Sequence, residues 1–139
     1  MTPKWEHFEH QADIGIRGTG GTMAEAFEQA AVAMTAVITP PDRILPQVAI
    51  RVRCEAPDRE LLLADWLNAI LREMSALRML FSRFEVTVSG NSLEAVLHGE
   101  LLDPARHEPA VEVKGATYFK LSVAQDEAGN WTAQCVVDV

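Results

Sequence analysis

Three short stretches of the sequence bring together side chains that can bind metals, move protons or contact anions. They are residues 10–13 (His-Gln-Ala-Asp), residues 112–118 (Glu-Val-Lys-Gly-Ala-Thr-Tyr) and residues 136–139 (Val-Val-Asp-Val). Carboxylates coordinate cations, an imidazole transfers protons near neutral pH, and a lysine amine donates to anions. These three stretches are therefore the candidates for a functional site.

The last stretch follows a segment with the composition of a strand, residues 131–137, which continues almost to the final residue. Chain ends usually fray unless they are tied down, so we expect a sheet to hold Asp138, with the terminal carboxylate of Val139 beside it. If Asp13 joins them, the carboxylates repel one another unless a cation or Lys114 neutralises them. Ligands that are all oxygen favour hard cations such as Ca²⁺, Mg²⁺ or Mn²⁺ over zinc.

Each of these residues also has an explanation that involves no site. Asp13 can end a strand or accept from a neighbouring amide, His10 can be an ordinary surface histidine, and Asp138 can be a solvated tail residue. The residues alone leave both explanations open.

The familiar motifs of nucleotide binding and hydrolysis are absent. Residues 18–21 (Gly-Thr-Gly-Gly) lack the Lys-Ser/Thr of a P-loop and the full spacing of a dinucleotide-binding loop. The sequence has no Gly-x-Ser-x-Gly elbow and no His-Glu-x-x-His. Cys54 and Cys135 fit neither a CxxC pair nor a zinc spacing, so we expect them to be buried, reduced thiols.

The composition restricts the class of partner. The 139 residues are 48% hydrophobic and 23% charged, which is typical of a globular protein. A net charge of -8 disfavours strong direct binding to nucleic acids, because that affinity comes from Lys and Arg neutralising phosphates. Residues 1–10 lack an apolar signal segment, and no apolar run approaches the ~20 residues of a membrane span. We therefore expect a cytoplasmic protein with no membrane partner.

Two helices are predicted from their caps and their periodicity. Thr22 and Glu25 form a capping box before an apolar repeat with steps of three and four residues, and Pro40-Pro41 ends this helix. Asp58 caps the second helix, which continues towards Leu77 with a wide apolar face.

The other segments alternate apolar and polar residues or are rich in β-branched ones, as strands are. Residues 89–92 and 127–130 are typical of hairpin turns. The order β, α, β, α and four further strands predicts an α+β fold, with a single domain over residues 1–139 and two helices packed on one face of a mixed sheet. The predicted strands are residues 8–17, 48–55, 84–89, 93–98, 117–123 and 131–137.

A series of short matches along essentially the whole chain resembles the archease family. They are residues 10–13, Ala26-Phe27, Ala30-Ala31, residues 61–68 (Leu-Leu-Leu-Ala-Asp-Trp-Leu-Asn), Gly99-Glu100, residues 112–118 and Asp138-Val139. Each piece is weak alone, but their order, spacing and final position are specific. The chain departs from the family at Gln11, where Thr is common, at Ala69, where Glu is common, and at Phe119, where His is common. The change at position 119 removes a polar side chain near the expected site.

The resemblance implies an accessory protein, not an enzyme, for the GTP-dependent RNA ligase that joins RNA 3′-phosphate ends in tRNA splicing and RNA repair. Such a protein promotes guanylylation of the ligase and lets it turn over repeatedly. The family's metal site corresponds to Asp13 and Asp138, with Val139 as a further oxygen donor. The expected ion is Ca²⁺, with Mg²⁺ or Mn²⁺ as the alternatives.

The resemblance also implies roles for other polar residues of the matching segments. Lys114 corresponds to the family's functional lysine, and His10 is a candidate for contact with the partner or its nucleotide. We expect Glu112, Thr117 and Asp65 to support these groups from behind by hydrogen bonds.

Two other functions stay open. A stand-alone metal-dependent hydrolase would use the same carboxylates with His10 as general base, but enzymes of that class usually present more ligands. A general chaperone would need a large exposed apolar patch. The family resemblance also leaves open the modulation of a tRNA methyltransferase, and assembly into a homo-oligomer.

Overall fold

Both long helices begin where the sequence places their caps. In the computed structural model, which describes residues 1–139, helix α1 spans Met23–Ile38 and helix α2 spans Arg59–Leu77. The Oγ1 atom of Thr22 accepts the N–H of Glu25 at 3.1 Å, and the Glu25 carboxylate accepts the N–H of Thr22 at 3.1 Å. The Asp58 carboxylate accepts the N–H of Leu61 at 2.8 Å. The predicted caps are therefore confirmed.

The strands form two antiparallel sheets. The first has the order β1-β2-β8-β6, with β7 also paired to β8, and the second has the order β3-β5-β4. The predicted α+β class is confirmed, but the strands divide between two antiparallel sheets where the sequence had predicted one mixed sheet. The strands are β1 Lys4–His10, β2 Asp13–Gly20, β3 Val48–Glu55, β4 Met79–Ser89, β5 Ser92–Leu101, β6 Gly115–Ala116, β7 Ser122–Gln125 and β8 Trp131–Asp138.

Several element boundaries differ from the prediction. The segment 8–17, predicted as one strand, is a hairpin of β1 and β2 joined by Gln11 and Ala12. Of the predicted strand 117–123, only its end lies in β7, while β6 forms earlier in the chain. A one-turn helix, α3 (Pro104–His107), and a 3₁₀ turn, Pro41–Arg43, were not predicted.

The two long helices lie between the two sheets. α1 packs on β2 and β4, and α2 contacts strands of both sheets. A Cβ atom on Gly18 would lie 2.2 Å from the backbone nitrogen of Ala30, so the close approach of β2 to α1 requires glycine. The Oγ1 of Thr35 donates to the carbonyl of Phe81 at 2.8 Å, and the Glu28 carboxylate accepts the N–H of Val86 at 2.8 Å. These two bonds attach α1 to the free edge of β4.

A buried polar cluster fixes the chain that leads from β5 towards Lys114. Glu100 and the wholly buried His107 are held together by a hydrogen bond of 3.0 Å from His107 Nε2 to Glu100 Oε2. The Asp103 N–H donates to His107 Nδ1 at 2.9 Å, which leaves Nε2 as the nitrogen that carries the proton. The same carboxylate accepts from the guanidinium of Arg106 and, at 2.7 Å, from the Leu45 N–H.

The outer face of the first sheet has no helix on it. Arg17 of β2 extends along this face, donating to Gln134 Oε1 of β8 at 2.9 Å and to Glu6 Oε1 of β1 at 3.1 Å. Its guanidinium also lies 4.8 Å from the centre of the Phe8 ring. Because side chains alternate between faces along a strand, Asp13 shares this face with Arg17.

Candidate functional site

The β1–β2 hairpin sets Asp13 beside His10. These two residues are paired across the hairpin, and Gln11 between them adopts a left-handed backbone conformation with φ 54°. The turn therefore directs the imidazole and the carboxylate to the same face of the sheet. Both side chains are half-buried.

The pairing of β2 with β8 brings Asp138 to Asp13. Ile14 is paired with Val137, so the two aspartates occupy the next position along this antiparallel pair. Side chains at opposed positions of neighbouring strands have Cβ atoms roughly 5 Å apart. Asp138 is exposed, and Val139, which follows it, is half-buried. The structure thus brings together the two carboxylates that the sequence had proposed from opposite ends of the chain.

The segment that contains Lys114 lies beside β8, on the side opposite to β2. Gly115 is paired with Asp138, and the Lys114 N–H donates to the Asp138 carbonyl at 2.7 Å. The Lys114 side chain is exposed, and its amine takes part in no ion pair with a carboxylate. The ammonium group is therefore available to a ligand or partner.

Asn68 of α2 holds this segment from the interior. Its Oδ1 accepts the N–H of Ala116 at 2.9 Å. Asn68 was not among the site residues predicted from the sequence, although a signal was present. Asn is a poor helix former, because its side chain competes for backbone hydrogen bonds, so an Asn inside an apolar helix indicates a specific polar partner.

Thr117 shapes the loop that follows β6. Its Oγ1 donates to the carbonyl of Val136 at 2.8 Å and accepts the N–H of Phe119 at 3.2 Å. The ring of Phe119 lies against the ring of His10, with centroids 5.6 Å apart. Thr117, His10, Asp13 and Asp138 thus belong to one continuous surface.

Two other residues proposed from the sequence lie elsewhere. Asp65 is exposed on α2, and burial together with this nearby carboxylate raises the pKa of Cys54 in the second sheet. Glu112 lines an apolar groove of about 500 Å³ between the ends of α1 and α2 and the segment after α3. Neither residue makes a hydrogen bond to the Asp13–Asp138 pair.

The donor set of the paired aspartates fits a hard divalent cation. No Lys, Arg or His nitrogen lies within 4.0 Å of either carboxylate, so no side chain of the protein neutralises their charges. No group of three or more His, Cys, Asp or Glu side chains is placed to bind a metal. A cation at Asp13 and Asp138 would therefore need further oxygen donors, such as Val139 or water, which suits Ca²⁺, Mg²⁺ or Mn²⁺ better than zinc.

No helix in the structure combines the length and the apolar character needed to cross a membrane.

Both the sequence and the fold of this protein are similar to those of known proteins. The archease protein family matches residues 5–139. Curated archeases are 40% identical over 140 residues in Pyrococcus abyssi and 37% identical over 138 residues in Sulfurisphaera tokodaii. In both comparisons the match covers 98% of this chain and 99% of the relative.

Solved structures show the same fold. The solution structure of protein 1598 from Methanobacterium thermoautotrophicum has a TM-score of 0.85 and 31% identity, with 97% of this chain and 98% of that chain covered. A crystal structure from Thermotoga maritima, described as an archease and "possible chaperone", has a TM-score of 0.64, 20% identity and coverage of 95% and 94%. The second likeness concerns the fold alone. Together, the matched family and the full-length relatives establish that this chain belongs to the archease family.

Proposed function

We propose that this protein is a cytoplasmic accessory factor of the GTP-dependent RNA ligase that joins RNA 3′-phosphate ends in tRNA splicing and RNA repair. It is not itself the catalyst: it promotes guanylylation of the ligase and allows repeated turnover. The observation that carries the proposal is the position of Asp13 next to Asp138 at the neighbouring ends of β2 and β8, close to Lys114. Family membership adds support, since the matching segments include all three residues.

The charge of the molecule favours action through the ligase over action on RNA. The net charge is -8, and the paired carboxylates carry no internal counter-ion. The field of the whole molecule repels an extended phosphate backbone and attracts a basic surface of a protein.

Guanylylation joins a ligase histidine nitrogen to the α-phosphorus of GTP and breaks the bond to the departing pyrophosphate. The step is fast only when the triphosphate lies in line with the nucleophile and its charge is offset. In the proposed complex Asp13, Asp138 and Val139 would hold a divalent cation, with Ca²⁺ as the expected ion, and the cation would supply positive charge next to the phosphates. Lys114 donates from its ammonium group to a phosphate oxygen. The absence of an ion pair between Lys114 and the aspartates supports this role over one in holding the carboxylates.

A reconstituted reaction tests the proposal. Purified ligase of the same organism, GTP and a 3′-phosphate RNA are mixed with this protein at substoichiometric amounts, and product per ligase is followed over time. We expect multiple turnovers with the wild type and a single turnover with Asp13→Asn or Asp138→Asn. Stimulation by both variants at the wild-type level would contradict the proposal.

Matched controls separate the site from overall charge. Glu127→Gln removes one negative charge from the exposed β7–β8 turn and should leave stimulation unchanged. Lys114→Ala should reduce stimulation at least tenfold, whereas Lys4→Ala, at an exposed lysine of β1, should not.

A chaperone function is the second candidate, and the apolar groove is the observation that favours it. Most of its lining residues are apolar, among them Leu71, Met74, Leu102 and Val111. A chaperone role, including one towards a tRNA methyltransferase, predicts suppression of client aggregation that Val111→Asp in the groove abolishes and Asp138→Asn leaves intact. The ligase role predicts that Asp138→Asn abolishes stimulation of the ligase and that Val111→Asp leaves it intact.

A further inference from the structure

Two adjacent aromatic side chains extend into solvent beside the paired aspartates. Tyr118 is 70% exposed and Phe119 is 65% exposed, which makes them two of the most exposed large hydrophobic residues in the protein. A folded domain gains nothing in stability from holding such rings in water. Exposed aromatic residues of this kind are enriched at the centres of protein–protein interfaces.

The backbone that carries the two rings is fixed before any partner binds. The Phe119 carbonyl accepts the Val136 N–H at 3.0 Å, and the Phe119 N–H donates to Thr117 Oγ1. The Tyr118 carbonyl accepts the Leu121 N–H at 3.3 Å. Lys120, with φ 55°, closes the turn. Anchors held in this way lose little backbone freedom on binding. The free-energy cost of ordering the loop on binding is therefore small.

The two aromatic residues lie next to Asp13 and Asp138. The Phe119 ring contacts the His10 ring, and His10 is paired with Asp13. The loop begins directly after β6, whose Gly115 is paired with Asp138. A partner that reaches the carboxylates from the open side of the sheet would therefore cover the two rings as well.

We propose that Tyr118 and Phe119 are the anchors with which this protein docks on a basic surface of the ligase that contains an apolar pocket for aromatic rings. This inference rests on the proposed function and identifies the surface that carries it. A basic protein surface is the occupant that complements the charge of the protein, because the chain has a net charge of -8. RNA would stack on aromatic rings, but a protein with a net charge of -8 repels its phosphate backbone. A second copy would bring like charges together.

Two quantities test the proposal. The first is the dissociation constant of the complex with the purified ligase, measured by titration, and the second is the concentration of this protein that gives half-maximal stimulation of the ligase. Tyr118→Ala and Phe119→Ala should each raise the dissociation constant and the half-maximal concentration at least tenfold, because hot-spot truncations cost that much or more. Tyr118→Phe and Phe119→Tyr keep the rings and should stay within about threefold of the wild type. Leu101→Ala truncates a residue of the second sheet that is 68% exposed and should have no effect.

A measurement of the unfolding temperature separates an effect on folding from an effect on docking. Both alanine variants should unfold at the wild-type temperature, since their rings are exposed and their backbone bonds remain. If the wild type stimulates the ligase and both alanine variants bind it as the wild type does, the docking surface is wrong while the proposed function stands. If the wild type neither binds nor stimulates, both proposals fall.

Two more outcomes would overturn the docking proposal in favour of another occupant. The first is anisotropy of a labelled 3′-phosphate RNA that rises with the wild type and not with Phe119→Ala. The second is a wild-type dimer in sedimentation that Tyr118→Ala converts to a monomer.

Discussion

Replacing Glu100 by Gln should destabilise the protein in a way that depends on pH. The hydrogen bond from Arg106, together with those from the Leu45 N–H and His107, lowers the pKa of the Glu100 carboxyl from 4.5 to about 2. If the whole of this pKa difference acted on folding, it would add about 3 kcal/mol to the free energy of unfolding. Because Arg106 is 43% exposed, water screens part of its interaction with Glu100, and the ionised carboxylate contributes about 1–2 kcal/mol to the free energy of unfolding.

Glu100→Gln removes hydrogen bonds as well as the negative charge. Three donors meet the two oxygens of Glu100, whereas a glutamine offers one oxygen and adds donors of its own. His107 is wholly buried, so an Nε2–H without a partner would cost a further 1–3 kcal/mol, roughly. We expect Glu100→Gln to lower the free energy of unfolding by about 2–5 kcal/mol at pH 7.

The sign of the pH dependence follows from the lowered pKa. A carboxyl whose pKa falls on folding stabilises the protein above its unfolded pKa of 4.5, and this contribution is lost as the pH falls towards 2. Urea unfolding followed by circular dichroism should therefore show the difference between wild type and Glu100→Gln shrinking, with more than half of the charge contribution gone by about pH 3. Glu127→Gln provides the control. A difference that is constant between pH 7 and pH 3 would refute this account of the cluster.

Three further predictions concern the site and the core. Calcium at 100 times its dissociation constant should raise the unfolding free energy of the wild type by about 2.7 kcal/mol, and Asp138→Asn should remove this effect in a thermal unfolding scan. Gly99→Ala places a Cβ atom 1.8 Å from a main-chain carbonyl oxygen of β4 and should destabilise by more than about 3 kcal/mol in urea, whereas Gly115→Ala has its nearest contact at 3.6 Å and should change stability by about 1 kcal/mol or less. Equal effects of the two substitutions would contradict the packing described here. Trp66→Phe leaves a buried carbonyl of α1 without its 3.0 Å donor and should cost about 1–3 kcal/mol in the same assay, with an unchanged value as the contrary result.

The helices could be predicted because their signals are local. The capping box of Thr22 and Glu25 and the cap of Asp58 lie within one turn of the residues they organise. Hairpin turns with glycine were also predictable: Gly90, between β4 and β5, adopts φ 59°, a conformation that glycine accepts at low cost.

The division of the strands into two sheets depends on contacts between distant parts of the chain. The β1–β2 hairpin was missed because its turn, Gln11-Ala12, contains none of the residues that usually mark a two-residue turn. α1 inserts between the sheets and bonds to the edge of β4 through Thr35 and Glu28. Nothing local to those residues predicts that insertion.

The candidate site was predictable only in part. A strand that continues to Asp138 indicated that the end of the chain is held in a sheet, and the pairing of β8 with β2 fits that expectation. An Asn inside the apolar helix α2 indicates a polar partner, but the sequence does not identify that partner, because the bond from the Ala116 N–H to Asn68 joins residues distant in sequence. The metal, the ligase and the roles of Lys114 and His10 stay predictions.

The rate at which the ligase becomes guanylylated tests directly whether Asp13 and Asp138 activate it. Purified ligase is incubated with GTP labelled at the α-phosphate, and the covalent ligase–guanylate is measured over time with no addition, with the wild type, and with Asp13→Asn/Asp138→Asn. We expect at least a tenfold acceleration by the wild type, which the double variant loses while it keeps its fold. Equal acceleration by the double variant would show that the paired aspartates are not the part of the protein that acts.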